Sequence, residues 1–278
     1  MLKLSGFADE IDPSIDAQIY TARQLGLTHF ELRSVDGVNV LKFTGEQRKT
    51  IRAKLDAAGL GTISIGSPCG KMPIDTPKAI LLEQFKVAVD MAQFFAAPLI
   101  RVFSFYPPGG EGKGPIEPHR SAILDVLADQ ARLLENTSIT MVHENEKGIY
   151  GDIGSRCVDL MKSVNHPKLR TAFDFANFVQ CGQDPLAIWP LLKPYTVHIH
   201  VKDAIAASGK IVPAGEGDGK IPEILKDAFE SGYAGFLSLE PHLKVAGHSH
   251  GESGPELFAK AVVALRDVCK AINVPLAS

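Results

Sequence analysis

Short apolar runs alternate with longer amphipathic segments along the whole chain, and this alternation constrains the fold more than any other feature. The apolar runs predict eight strands, at residues 2–7, 28–32, 61–66, 98–104, 138–144, 169–174, 196–202 and 235–240. Helical periodicity fills the gaps, most clearly at residues 14–25, 45–58, 77–95, 118–135 and 254–272. Strands that alternate with helices are typical of a parallel sheet covered by helices.

Eight strand–helix units in 278 residues predict a single (β/α)8 TIM barrel domain over residues 1–278. No linker rich in glycine, serine or proline divides the units, so we expect one domain. An open doubly wound sheet is the alternative fold. That fold usually carries a glycine-rich first strand–helix turn, whereas the segment GFADEID offers only Gly6.

The composition limits the classes of partner. A net charge of -3 gives no bulk attraction to a polyanion, so we expect no nucleic-acid partner. No run approaches the roughly 18 apolar residues of a membrane span, and the N-terminus has no apolar leader, so a cytoplasmic protein is expected. The cysteines lack the spacing of a zinc cluster or a disulfide framework. Homo-oligomerisation is left open.

Four predicted strands end in a potential metal ligand, namely Glu144, Asp174, His200 and Glu240. The gaps between them are 30, 26 and 40 residues, each about one strand-plus-helix unit. The four side chains are therefore expected to converge at one mouth of the barrel. Three carboxylates and one imidazole suit Mn²⁺, Mg²⁺ or Co²⁺ better than structural Zn²⁺, because oxygen donors favour hard cations.

Glu144 and Glu240 are also candidates for acid and base. A metal that binds the carbonyl and hydroxyl oxygens of a hydroxyketone acidifies the C–H between them. Proton transfer then needs a base on one face and an acid on the other. Lys202 either neutralises a substrate oxyanion or pairs with Asp203 or another carboxylate.

Strand alternation places His198, His200 and Lys202 on the side that faces the barrel axis. His198 lies one layer deeper than His200, where a hydrogen-bonded core histidine is favoured over a role in binding. Arg101 is a charge within an apolar strand. It is either paired inside the barrel, where it can bind substrate oxygens together with Arg33, or it points between strand and helix.

Segments after the last strands leave further alternatives. His242 either reaches the pocket or is an exposed loop histidine. His248 and His250 can chelate a metal, although a solvated pair is favoured in such a glycine-rich loop. The GEGDG segment at 215–219 lacks the lysine and spacing of a phosphate loop. It is either a lid, a carboxylate-bearing rim, or a turn before the next helix.

Five segments, HENEKGIYGD, FDFANF, HIHVKDA, PAGEGDG and FLSLEPH, resemble the xylose isomerase-like TIM barrels, and the likeness spans the chain. That superfamily includes sugar-phosphate isomerases and epimerases, ketose 3-epimerases, hydroxypyruvate isomerase, inosose dehydratase and endonuclease IV. The resemblance implies one Mn²⁺-type ion at the four strand-end residues, with both glutamates as acid/base groups. Where ketose 3-epimerases have a substrate-binding histidine and arginine, this chain has Asn177 and Ala206, although Asn177 can bind a sugar hydroxyl.

The leading interpretation is a metal-dependent isomerase or epimerase of a keto-sugar or sugar phosphate that acts through an enediolate. A lyase or dehydratase of an oxidised sugar, an inosose or a glycoside is the alternative, because the same enediolate can expel a leaving group. An endonuclease IV-like nuclease, which would bind three metals, and a sugar-binding barrel without turnover are less favoured.

Overall fold

A computed structural model, which describes residues 1–246 and 251–277, shows a closed barrel of eight strands. The strands are β1 Lys3–Gly6, β2 His29–Leu32, β3 Gly61–Ile65, β4 Leu99–Val102, β5 Thr140–Glu144, β6 Leu169–Asp174, β7 Thr196–Val201 and β8 Phe236–Leu239. Neighbours around the barrel follow the chain order, and β8 closes it by pairing in parallel with β1. The predicted (β/α)8 fold is confirmed, and the open doubly wound sheet is not formed.

Helices follow the strands and cover the outside of the barrel. Their bounds are α1 Ile15–Gln24, α2 Gly45–Ala58, α3 Lys78–Phe95, α4 Arg120–Leu133, α5 Gly154–Val164, α6 Phe175–Gln180, α7 Pro185–Leu192, α8 Ile221–Glu230 and α9 Gly254–Ala271. A capping box of Thr44 and Gln47 begins α2, and Gly59 ends it at a φ of 69°. None of the helices in the described part of the chain is long and apolar enough to cross a membrane.

The barrel interior has two layers on the side of β3 to β6, because residues two apart on a strand face the same way. The lower layer, which we call the apolar floor, is a cluster of Ile63, Leu99, Val142 and Ala172. Two residues further along β4, β5 and β6 come three buried charged residues, Arg101, Glu144 and Asp174. With His200 and Glu240 they form the charged layer at the carboxyl ends of the strands.

Candidate metal centre

The charged layer is assembled by strand register. Asp174 at the end of β6 lies beside His200 of β7. Glu144 ends the neighbouring strand β5, and Glu240 directly follows β8. One ligand atom from each of these four residues lies within 4.8 Å of the other three, and all four residues are buried. The structure therefore brings together the residues that their strand-end positions single out in the sequence.

The donor atoms fit a divalent cation. Among the described residues, the buried atoms Asp174 Oδ2 and His200 Nδ1 make no hydrogen bond, and Asp174 Oδ2 has only an ion pair with Lys202 Nζ at 3.1 Å. Buried polar atoms of this kind normally have a partner. His200 Nδ1 lies 3.2 Å from Glu144 Oε1 and 4.0 Å from Glu240 Oε2. A hard cation bound by three carboxylates and one imidazole would give both atoms a ligand bond.

Two buried cationic side chains border these carboxylates. Lys202 Nζ lies 3.1 Å from Asp174 Oδ2 and 3.1 Å from Glu240 Oε2. Arg101 Nη1 lies 3.1 Å from Glu144 Oε2 and 3.5 Å from Glu240 Oε1. The sequence left open whether Lys202 pairs with a carboxylate, and the structure shows that it pairs with Asp174 and Glu240. Arg101 lies inside the barrel and does not point between strand and helix.

Burial and neighbouring charges separate the pKa values of the three carboxyl groups. Burial raises the pKa of Glu144, but His200 and Arg101 together outweigh this and the pKa falls to about 2. Burial raises the pKa of Asp174 to about 7, with only partial compensation from Lys202. For Glu240, burial also raises the pKa, but Lys202 holds it well below its usual range. Glu144 and Glu240 are therefore ionised at neutral pH, as ligands and bases require.

Asn177 supports two of the carboxylates. Its backbone N–H donates to Asp174 Oδ1 at 2.8 Å, and Asp174 is the N-cap of α6. Its side-chain Nδ2 donates to Glu144 Oε1 at 3.3 Å and to the carbonyl oxygen of Asn145 at 2.8 Å. Asn177 thus positions the ligand set from the side, and its contact with a substrate hydroxyl stays a prediction.

The loop after β1 contributes two acidic residues that sequence reasoning does not single out. Asp9 Oδ2 accepts a hydrogen bond from Arg33 Nε at 2.8 Å, and Arg33 Nη1 donates to Glu240 Oε1 at 3.2 Å. Glu10 Oε1 lies 3.2 Å from His242 Nε2. His242 is only 8% exposed, so it is not an exposed loop histidine. The sequence signal that could have identified Asp9 and Glu10 is their position in the loop that follows the first predicted strand.

Burial lowers the pKa of His242, but the Glu10 and Glu240 carboxylates together outweigh this and raise it to about 9. His242 Nε2 also lies 3.5 Å from Glu240 Oε1. An imidazolium therefore borders one of the two proposed acid/base groups at neutral pH. It is a proton donor placed at the edge of the charged layer.

The glycine-rich loop after β7 wraps around Asp203. The Asp203 carboxylate accepts hydrogen bonds from the backbone N–H groups of Gly215, Gly217 and Gly219 at 2.9, 3.1 and 2.9 Å. A Cβ atom on Gly217 would lie 2.5 Å from Asp203 Oδ1, so a larger residue does not fit without movement. The GEGDG segment therefore forms a turn onto this carboxylate, next to Lys202, before α8 begins.

Two further groups of potential ligands overlap with the first. Their members are Glu31, His198 and His200, and Glu10, Glu240 and His242. Both groups contain an internal pair, since His198 Nε2 lies 2.9 Å from Glu31 Oε2 and His242 Nε2 lies 3.2 Å from Glu10 Oε1. His248 and His250, for which the sequence favours a solvated pair over chelation, lie outside the described residues.

Comparison with known families agrees with the fold. The sequence profile of the xylose isomerase-like TIM barrels matches residues 19–267. The chain therefore belongs to the xylose isomerase-like TIM barrel family. Among curated proteins, none gives a significant sequence match.

Solved structures with the same fold cover nearly the whole chain at low identity. The probable 3-DHS dehydratase AsbF from Bacillus anthracis has a TM-score of 0.74 and 17% identity, over 95% of this chain and 99% of its own. A xylose isomerase-like TIM barrel protein from Mycobacterium smegmatis in complex with magnesium has a TM-score of 0.74 and 16% identity, over 99% of this chain and 98% of its own. The D-allulose 3-epimerase from Methylomonas sp. in complex with D-allulose has a TM-score of 0.75 and 15% identity, over 96% of each chain. At these identities the likeness establishes the fold alone.

Proposed function

We propose that this protein is a metal-dependent isomerase or epimerase of a keto-sugar or sugar phosphate that acts through an enediolate. The observation that carries the proposal is the convergence of Glu144, Asp174, His200 and Glu240 within 4.8 Å. Membership of a family whose solved relatives include epimerases and a dehydratase supports an enzyme of this type. The relative in complex with D-allulose supports a sugar substrate, and the relative in complex with magnesium supports a divalent ion.

A divalent ion, which we propose to be Mn²⁺, would polarise the carbonyl and hydroxyl oxygens of the substrate and stabilise the enediolate. The four proposed ligands are Glu144, Asp174, His200 and Glu240. Glu144 and Glu240 are proposed to move the protons. One of them accepts the proton from the carbon next to the carbonyl. In an epimerisation the other first takes up a proton from solvent and then delivers it to the opposite face.

Lys202 and Arg101 are proposed to stabilise the negative charge that develops on the substrate oxygens. Their side chains contact the carboxylates of the site, and the two residues are only 5% and 4% exposed. Positive charge acts more strongly in such a water-poor site than in bulk solvent. Asn177 and His242, which border Glu144 and Glu240, are proposed to bind substrate hydroxyls.

A lyase or dehydratase is the second candidate, and His242 is the observation that favours it. With a pKa raised to about 9, chiefly by Glu10 against the effect of burial, this side chain is protonated at neutral pH. It lies 3.5 Å from Glu240, where it can protonate a hydroxyl or alkoxide that leaves from the enediolate. Reprotonation of the same enediolate on carbon would instead complete an isomerisation.

One experiment tests both candidates. Metal-loaded protein is incubated in D₂O with a panel of keto-sugars, their phosphates and oxidised glycosides. NMR then follows deuterium incorporation, isomerisation and elimination together. The proposal expects exchange of the proton next to the carbonyl with at least one substrate, and the product type separates isomerase from lyase. The control is Glu240→Gln protein of matched metal content. No exchange with any substrate by fully metal-loaded protein would contradict both candidates.

A further inference from the structure

Glu31 is a buried carboxylate on β2 that the proposed chemistry does not use. Its Oε2 lies 2.9 Å from His198 Nε2 and accepts a hydrogen bond from Ser238 Oγ at 2.7 Å. His200 Nε2 lies 3.1 Å from Oε2 and 3.2 Å from Oε1 of the same carboxylate. Three side chains from β7 and β8 therefore surround Glu31 inside the barrel. His198 is the hydrogen-bonded core histidine that the sequence favours.

His200 presents its two ring nitrogens to different groups. Nε2 contacts Glu31, whereas Nδ1 lies 3.2 Å from Glu144 Oε1 in the charged layer and has no hydrogen-bond partner there. The Phe7 ring packs edge-on against the imidazole, with 5.4 Å between ring centroids, and restricts its rotation. The two nitrogens are thus distinguished by their surroundings.

The position of the proton on the imidazole ring decides which of the two nitrogens can bind a metal. A neutral imidazole carries one N–H, and the nitrogen without it is the one that can bind a metal. Histidines that bind metals commonly donate their other N–H to a carboxylate, which fixes the tautomer and the ring orientation. Glu31 offers that acceptor at Nε2, on the side of the ring away from Glu144.

We propose that Glu31 is a positioning residue for the metal centre, because it accepts the Nε2–H of His200 and so directs Nδ1 to the ion. The inference rests on the proposed metal site and adds what selects one nitrogen of its imidazole ligand. Glu31 acts through His200 and contacts no reacting atom. The competing explanation is that Glu31 only neutralises and packs the interior polar groups, including His198.

Mn²⁺ affinity separates these explanations. Glu31→Met keeps a similar volume but removes the acceptor, and Glu31→Gln keeps one acceptor oxygen without the charge. Ser238→Ala is the matched control, because it removes a different hydrogen bond to the same carboxylate and leaves the His200 contact. Calorimetric titration of chelator-stripped protein should show Mn²⁺ binding about 10- to 100-fold weaker in Glu31→Met, with Glu31→Gln intermediate. Ser238→Ala should stay within about threefold of the wild type, since the carboxylate remains.

The tautomer of His200 is the second readout, and packing alone would not change it. In ¹⁵N-histidine-labelled, Mg²⁺-loaded protein, the His200 signals are assigned by their loss in His200→Gln. We expect the Nε2–H tautomer in the wild type and in Ser238→Ala. We expect this preference to be lost in Glu31→Met.

Wild-type Mn²⁺ affinity in Glu31→Met, or an Nδ1–H tautomer in the loaded wild type, would overturn the positioning role and leave the metal centre standing. Absence of Mn²⁺ binding by the wild type in the same titration would overturn the metal centre and the positioning role together. If Glu31→Met does not fold by circular dichroism, Glu31→Gln decides. The role then requires weaker Mn²⁺ binding by Glu31→Gln than by Ser238→Ala.

Discussion

The apolar floor and the charged layer arise from the same strands, two residues apart, and have opposite physical characters. The neighbouring pairs are Leu99 and Arg101, Val142 and Glu144, and Ala172 and Asp174. Burial of the first member of each pair stabilises the fold, because apolar surface leaves water. Burial of the second member costs free energy unless a partner compensates the charge. One short strand can therefore stabilise the barrel at one end and carry chemistry at the other.

The largest effect is expected from removing a ligand of the charged layer. Asp174→Ala should lose stoichiometric metal and activity, because one of the oxygen donors is gone. Removing the ion from the wild type with a chelator should likewise abolish activity and lower the thermal stability, since an ion bound only by the folded state adds its binding energy to folding. Metal analysis and thermal unfolding check this. Stoichiometric metal at unchanged affinity in Asp174→Ala would exclude this residue from the ligand set.

A change in the apolar floor should affect the free energy of unfolding and leave metal binding unchanged. Leu99→Ala leaves a cavity and should lower the free energy of unfolding by about 3 kcal/mol, a typical cost for a buried leucine. Urea unfolding of the metal-free protein measures this. Metal affinity should stay near that of the wild type, because Leu99 contributes no ligand. A loss of metal binding as large as that in Asp174→Ala would show that the two layers are not independent.

The acid/base function within the charged layer is tested by changes that keep an oxygen donor. Glu144→Gln and Glu240→Gln should each lower turnover by about 10² or more, the usual scale of general acid/base catalysis. This corresponds to about 2.7 kcal/mol in the activation barrier. Turnover is measured at matched metal content. If both variants bind metal and react at the wild-type rate, the two-glutamate mechanism is wrong, and Lys202 or His242 becomes the next base to test.

The smallest effect is expected in the pH dependence of the free energy of unfolding. The Glu10 and Glu240 carboxylates together outweigh burial and raise the pKa of His242 to about 9. Their ion pairs with His242 therefore stabilise the folded state fully below the unfolded value of about 6.5. This stabilisation should be lost as the pH rises through about 9, because the imidazolium then loses its proton. Urea unfolding of metal-free wild type and His242→Gln should show a difference that shrinks from pH 6 to pH 10. Leu99→Ala should show a constant offset over the same range.

Much of the fold follows from local sequence signals. The strand β6 has the predicted bounds, and the other barrel strands are shorter than predicted only at their ends. The helix α2 also has its predicted bounds, because Thr44, Gln47 and Gly59 specify its ends through hydrogen bonds and backbone conformation within a few residues. Such signals do not depend on the rest of the chain.

The pairing of charges could not be predicted in this way. Arg33 binds Asp9 across 24 positions and Glu240 across 207. His242 interacts with Glu10 of the loop after the first strand, and its backbone N–H donates to Glu10 Oε2 across 232 positions. These contacts depend on closure of the barrel, which places the loops after β1, β2 and β8 side by side. The sequence therefore left open whether His242 is exposed and whether Arg101 points inward.

The sequence by itself determined which residues stand at the carboxyl ends of the strands, because periodicity and spacing are local properties of the chain. It thereby singled out Glu144, Asp174, His200 and Glu240. Only the tertiary structure decided what surrounds them. Glu31 contacts His200 across 169 positions, so the different surroundings of the two imidazole nitrogens exist only once β2 and β7 face each other inside the barrel.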